Sequence, residues 1–152
     1  KQVHSTAIVN NCSLCVIKPH MIKEGLAGQL IDQILSSGFE VSALEMFYLD
    51  RPTAEEFWDV YKGVLAEYIP MLEHLSSGPL IALEVRQESV VTKLRELVGP
   101  SDPEIAKHLR PQSLRALFGH ERVRNAVHCT DLPEDGVIEC EYFFKALQDY
   151  QP

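Results

Sequence analysis

Histidine is the side chain to start from. Near neutral pH its imidazole offers an uncharged nitrogen lone pair and can act as a nucleophile. Among six histidines, His128 stands apart, in the run Arg124-Asn125-Ala126-Val127-His128-Cys129-Thr130-Asp131, just behind a basic stretch. A carboxylate that holds one ring nitrogen fixes the tautomer and leaves the other nitrogen bare. Asp131 and Glu139 are the nearby acids that could do this. A lone histidine in an apolar segment is more often structural, so His128 needs company before it reads as catalytic.

Part of that company is charge. The chain carries a net charge of −8, yet the window from Lys93 to Arg124 holds seven basic residues (Lys93, Arg95, Lys107, Arg110, Arg115, Arg122, Arg124) against four acids (Glu96, Asp102, Glu104, Glu121). A basic patch on an acidic chain suits a small anionic ligand such as a phosphate. The overall charge and the lack of a basic-aromatic stripe argue against a nucleic-acid surface. No apolar run approaches the roughly 20 residues that a membrane span needs. Glycine-rich phosphate loops and the G-x-S-x-G and H-E-x-x-H motifs are missing, so phosphate chemistry must rest on side chains.

Cys12 and Cys15 form a C-x-x-C, but no second such pair completes a tetrahedral metal site. Their surroundings read as a strand, where positions three apart face opposite sides. With Cys129 and Cys140 they read as reduced thiols of a cytosolic protein. The length of 152 residues fits one domain with a real core. The first residue is Lys1 rather than Met, which reads as a fragment of something longer.

The elements that must position these groups follow from periodicity. Ser13 to Lys18 is a short apolar strand stopped by Pro19. Leu26, Leu30, Ile31, Ile34 and Leu35 mark a helix ended at Gly38. Phe39 to Tyr48 is apolar at both parities, which predicts a strand covered on both faces. Thr53 and Glu56 form a capping box ahead of Phe57 and Trp58. Pro70 opens a short helix closed by Gly78-Pro79, and Leu80 to Val85 is a third strand. Val90 to Val98 is a helix ended by Gly99, and Asp102-Pro103 starts another. Asn125 to His128 is a short fourth strand, and Val137 to Leu147 a closing helix. Residues 1–11 read as a loosely ordered lead-in, with one domain over 12–149. The order is that of an α/β (α+β) ferredoxin-like βαββαβ sandwich with a four-stranded antiparallel sheet.

Asn125-Ala126-Val127-His128-Cys129-Thr130-Asp131 resembles the active-site signature of nucleoside diphosphate kinases, Asn-x-x-His-Gly-Ser-Asp. Further blocks agree in order and spacing: Val16-Ile17-Lys18-Pro19, Ser77-Gly78-Pro79, Arg95 with Gly99, Ser101 and Pro103, and Leu114-Arg115 with Phe118-Gly119. The stretches around Asp102-Pro103-Glu104, His108-Leu109-Arg110-Pro111 and Leu132-Pro133-Glu134-Asp135-Gly136 are similar to a tandem-domain branch of that family that belongs to cilia and microtubule-organising assemblies.

The resemblance implies transfer of a terminal phosphate from a nucleoside triphosphate, carried with Mg2+, to a nucleoside diphosphate through phosphohistidine on His128. It implies that Glu139 orients that histidine. Lys18, Arg95 and Arg115 would supply positive charge, with Ser101 beside them and Asn125 and Lys18 at the ribose. Trp58 and Tyr68 would supply rings, Tyr68 as the one stacking on the base. It places the chain in the cytoplasm and cytoskeleton, at a ciliary axoneme or centrosome, as a homo-oligomer or one of two tandem kinase domains. The chain departs from the family at Phe57-Trp58, where His-Tyr is usual, and at Gly63-Val64-Leu65-Ala66-Glu67, which lacks the usual arginine. It carries a short insertion before Arg115 and stops at Pro152, where a tail usually continues. These departures support an alternative: a weak or inactive kinase fold that serves as a scaffold module binding microtubule or centrosome proteins.

Overall fold

The computed structural model describes residues 11–149. The expectation of a loose segment over 1–11 therefore falls almost wholly outside the described residues.

Four strands build one antiparallel sheet: β1 (Cys12–Ile17), β2 (Glu40–Tyr48), β3 (Pro79–Arg86) and β4 (Val127–Cys129), in the spatial order β2-β3-β1-β4. This is the split β-α-β arrangement read from the element order, a ferredoxin-like fold. β1 is central, pairing with β3 from Cys12↔Arg86 to Ile17↔Ile81 and with β4 at Cys15↔Cys129, Val16↔His128 and Ile17↔Val127. All six of its residues are buried, as a strand with a helical layer on each face requires.

Period-two alternation divides the core into two layers. Leu14, Val16, Leu80 and Ala82 face one way, toward Phe47, Leu72 and Phe143. Cys15, Ile17, Leu83 and Val85 face the other, toward Leu30, Ile34 and Leu94. Cys12 and Cys15 fall in opposite layers, as their spacing predicts. All four cysteines are buried and none is joined in a disulfide.

The helices are α1 (Pro19–Lys23), α2 (Ala27–Ser36), α3 (Arg51–Phe57), α4 (Tyr68–Leu75), α5 (Val90–Val98), α6 (Pro103–Leu109), α7 (Leu114–Phe118), α8 (Gly136–Glu141) and α9 (Leu147–Asp149). Between the last two, Tyr142–Ala146 is one turn of π-helix. Among the described residues no helix is long and apolar enough to cross a membrane.

Two expectations need correction. β2 is not covered on both faces: Leu44, Met46 and Tyr48 are 53%, 46% and 72% exposed. It is the edge of the sheet, so its Phe47 parity packs on the core while the other lies open. The helix before Trp58 is not capped by Thr53. Asp50 caps it, accepting from the Thr53 N–H at 2.9 Å, and Pro52 sits in the first turn. An acidic acceptor one turn earlier satisfies the free amides of that end, and Thr53 is already helical.

Candidate active site

β4 is three residues long and wholly buried. Val127 and Cys129 join one apolar layer, and the alternation turns His128 to the other side. There its ring lies among three aromatic rings, with centroids 5.1 Å from Phe57, 5.9 Å from Trp58 and 6.4 Å from Tyr61. Its Nε2 lies 3.0 Å from Oε1 of Glu139, on α8. Glu139 also accepts from the Thr130 hydroxyl at 3.4 Å, and that hydroxyl accepts from the Leu14 N–H. A carboxylate acceptor at Nε2 puts the neutral ring's proton there and leaves Nδ1 bare. Of the two acids the sequence offers for this part, Glu139 takes it. Asp131 instead accepts from Arg95 Nη1 at 3.0 Å and from the Tyr61 hydroxyl.

His128 opens on a cavity of about 780 Å³ whose lining includes Lys18, Trp58, Arg95, Ser101, Arg115 and Asn125. Each cation is held in its own way. Lys18 directly follows β1 and is 3% exposed. Its ammonium donates to Asn125 Oδ1 at 2.7 Å and to the Val123 carbonyl at 3.1 Å, and sits 5.4 Å from the centre of the Trp58 ring. Burial, with Arg115 nearby, pulls it from its ordinary value to about 7. Arg115, on α7, donates to the carbonyls of Gly99 and Val127 at 3.0 and 2.9 Å. Arg95, on α5, is half exposed, and its guanidinium meets the Asp131 carboxylate and carbonyl.

Backbone features bring these groups into place. α5 ends at Gly99, whose φ of 84° belongs to glycine's left-handed range. A Cβ there would stand 2.5 Å from Ser113 Oγ. Ser113 caps α7, so this close approach sets Arg115 against the end of α5. Ahead of β4, Ala126 has a φ of 77°, unusual for a residue with a side chain. The Asn125 amide donates to the Ser101 carbonyl at 2.9 Å, joining the loop after α5 to the start of β4.

Tyr68 does not belong to this site. It is 7% exposed, packs in the apolar core from the start of α4, and lines a second, smaller cavity with Pro52 and Glu55. Helix α4 begins at Tyr68, two residues before Pro70, and turns that ring inward. Trp58 lines the main cavity but is 2% exposed, and its indole N–H has no acceptor. Sequence reasoning missed Tyr61, Glu67 and Arg122. Glu67 and Arg122 form an ion pair at 3.5 Å on the cavity lining, and Arg122 also meets Asp102 at 3.3 Å. Only the basic window pointed toward Arg122; no motif marks the others. Cys129, beside His128, keeps its proton because burial raises its thiol above the ordinary range.

The family model described as nucleoside diphosphate kinase matches residues 11–148. The nucleoside diphosphate kinase homolog 7 of Rattus norvegicus is 54% identical over 145 residues, 95% of this chain and 37% of that protein. The mouse counterpart is 53% identical over the same share. The chain thus spans just over a third of the length of these curated relatives. The nucleoside diphosphate kinase of Aquifex aeolicus is 33% identical over 136 residues, 90% of this chain and 95% of that one. A crystal structure of the Aquifex protein superposes with a TM-score of 0.84, covering 90% of this chain and 96% of the other.

Proposed function

We infer, from the premise that the chain belongs to the nucleoside diphosphate kinase family, that it passes the terminal phosphoryl group of a nucleoside triphosphate to a nucleoside diphosphate through His128. The bare Nδ1 of His128 attacks the γ-phosphorus. The bond from that phosphorus to the β,γ-bridging oxygen breaks, and its electron pair leaves with the diphosphate. The N–P bond of phosphohistidine forms. A second diphosphate then attacks the same phosphorus and the N–P bond breaks. One site serves donor and acceptor in turn.

The single observation that carries this reading is the Glu139–His128 contact of 3.0 Å at the wall of a cavity whose lining also includes Lys18, Arg95 and Arg115. Glu139 steadies the positive charge that the ring gains on attack. Lys18, Arg95 and Arg115 oppose the charge that spreads over the equatorial oxygens, where positioning and electrostatics do most of the catalytic work. Asn125 and Lys18, already hydrogen-bonded to each other, form the ribose end, with Ser101 and Trp58 beside them. Mg2+ enters as part of the substrate, on the nucleotide phosphates. The test is to mix the protein with γ-labelled Mg-ATP, look for acid-labile label, and chase it with GDP. Label that moves to GDP and is lost in His128→Ala supports the reading. Measurable ATP binding without any label would sink it.

Phe57 favours a second reading. Its apolar ring packs T-shaped on the nucleophile's ring, and Leu65 and Glu67 line the cavity with no cation between Gly63 and Glu67. On that reading the fold is retained as a nucleotide-responsive module of a ciliary or centrosomal assembly in the cytoskeleton. Nucleotide binding with no phosphohistidine would favour it.

A further inference from the structure

A second histidine–carboxylate pair, His20 with Glu24, stands outside the lining of that cavity. β1 ends at Ile17, and Pro19 starts α1, which turns His20 inward until it is 5% exposed. Its Nε2 accepts from the backbone N–H of Ala126 at 3.0 Å. Ala126 is also held by its carbonyl, which accepts from the Lys18 N–H at 3.0 Å. The segment from Lys18 to His20 thus grips both polar groups of a residue that stands at a φ of 77°. Such a conformation is unfavourable for an alanine and lasts only where its surroundings enforce it. Asn125 precedes Ala126, and His128 follows two residues later.

To accept from an amide, Nε2 must be bare, so the ring proton sits on Nδ1. Nδ1 lies 2.8 Å from Oε2 of Glu24, at the end of α1. The other Glu24 oxygen lies 2.6 Å from Nε2 of His120, in the segment after α7. This is the logic of Glu139 and His128 repeated: a carboxylate fixes one nitrogen's proton and leaves the other nitrogen bare. Here the bare nitrogen faces the main chain. His20, Glu24 and His120 also bring three donor atoms within 4.8 Å of one another. A metal on Nδ1 would force the ring proton to Nε2, directly against the Ala126 N–H, so the tautomer argues against an ion there.

We propose that His20 is a positioning residue for the phosphoryl transfer inferred above: with Glu24 it locks the backbone of Ala126, and so sets Asn125 and His128 in register with Lys18. The proposal rests on that reading of the site. Protonation of His20 turns the acceptor into a donor facing a donor, which releases Ala126. Burial lowers the His20 pKa, and Glu24 opposes that shift, so the release belongs to acid pH. The charged or titratable groups facing His20 are Glu24, Lys18, His74 on α4 and His120.

The experiment compares His20→Gln, which keeps an acceptor oxygen at about the reach of Nε2 but cannot titrate, with His20→Leu, which removes the acceptor. Rates of His128 labelling are measured at saturating Mg-ATP between pH 5 and 8. Misplacing a reacting group by an ångström costs up to about 100-fold. The expected results are a loss of about 10- to 100-fold in His20→Leu and near-wild-type labelling in His20→Gln at pH 8. The ratio of wild type to His20→Gln should fall as the pH drops, because only the wild type carries a group at this position that can take up a proton. Equal losses in the two variants, or a ratio flat with pH, would overturn the proposal. Should His20→Leu fail to fold, the pH ratio still decides. Nitrogen NMR of the His20 ring supplies a readout that needs no activity. A bare Nε2 and a protonated Nδ1 are expected, with Ala126 amide exchange slow in wild type and His20→Gln. The opposite tautomer would overturn the proposal whether or not the protein transfers phosphate.

Discussion

The Lys18 ammonium donates to Asn125 Oδ1 at 2.7 Å across the mouth of β1 and β4, and burial leaves it titrating near neutrality, at about 7. Its folded pKa lies below the ordinary lysine value, so above about 7 the folded protein holds this amine neutral while an unfolded chain holds it charged. A phosphate bound beside it favours the charged form. Nucleotide binding above pH 7 must therefore take up a proton. The dissociation constant for ADP is expected to rise as the pH climbs from 7 to 9, by up to tenfold per unit. Lys18→Met should bind more weakly and show a flatter profile. Calorimetry in buffers of different ionisation enthalpy measures the proton directly; an uptake of zero at pH 8 counts against this account.

The same linkage bears on stability, and the sign can be worked out. Between about 7 and the unfolded value near 10.5 the unfolded chain binds a proton at Lys18 that the folded protein does not. Stability therefore rises with pH across that window and is lost as the pH falls through about 7. Urea midpoints of wild type minus Lys18→Met, taken from pH 6 to 9.5, should increase with pH. A difference that is flat or falls would be the contrary result.

Glu139→Gln tests the tautomer argument at the nucleophile. The amide can present either its oxygen or its nitrogen to Nε2, so the bare lone pair at Nδ1 is no longer guaranteed, and the charge gained on attack is no longer opposed. Labelling at saturating Mg-ATP is expected to fall about 10- to 100-fold. ATP affinity should change by less than about threefold, because Glu139 does not line the cavity. A parallel loss of binding would assign Glu139 to the nucleotide instead.

How much of this was legible beforehand depends on element length and on whether a role leaves a local mark. Helices α2 and α5 show a full apolar stripe and a terminal glycine or serine-glycine, so their limits were read to within a residue or two. α1 and α7 have five residues each, too few for a period to repeat, and neither was read as a helix. The cap at Asp50 was missed because Thr53 and Glu56 match the same local pattern three residues on. Lys18, Arg95, Arg115, Asn125 and His128 do converge, and these are the residues carried by motif blocks in register; Glu139 was legible as an acid close to His128 in the chain. Tyr68 rests on the resemblance alone, and it begins α4, whose packing turns the ring into the core. The Glu67–Arg122 pair joins residues far apart in sequence that only the fold brings together, and the Ala126 conformation follows from a long-range grip that no propensity reveals.

Arg115→Lys separates charge from shape at a cavity cation that also holds the fold. The guanidinium spans the carbonyls of Gly99 and Val127, joining the end of α5 to β4. A lysine keeps the charge but lacks the planar fork that reaches both oxygens. At least one buried carbonyl would lose its partner, at a cost of about 1–3 kcal/mol in a urea melt. Gly99→Ala attacks the same junction from the other side: its Cβ would meet Ser113 Oγ at 2.5 Å, at a φ of 84°. That change should cost about 2 kcal/mol or more through strain and collision together. The two sites share partners, so their effects should not add. The double variant is expected to lose less stability than the sum of the singles, by about 0.5 kcal/mol or more. Strict additivity in a double-mutant cycle would mean that Gly99 and Arg115 act independently, and that the α5–α7 junction is not what places this arginine beside His128.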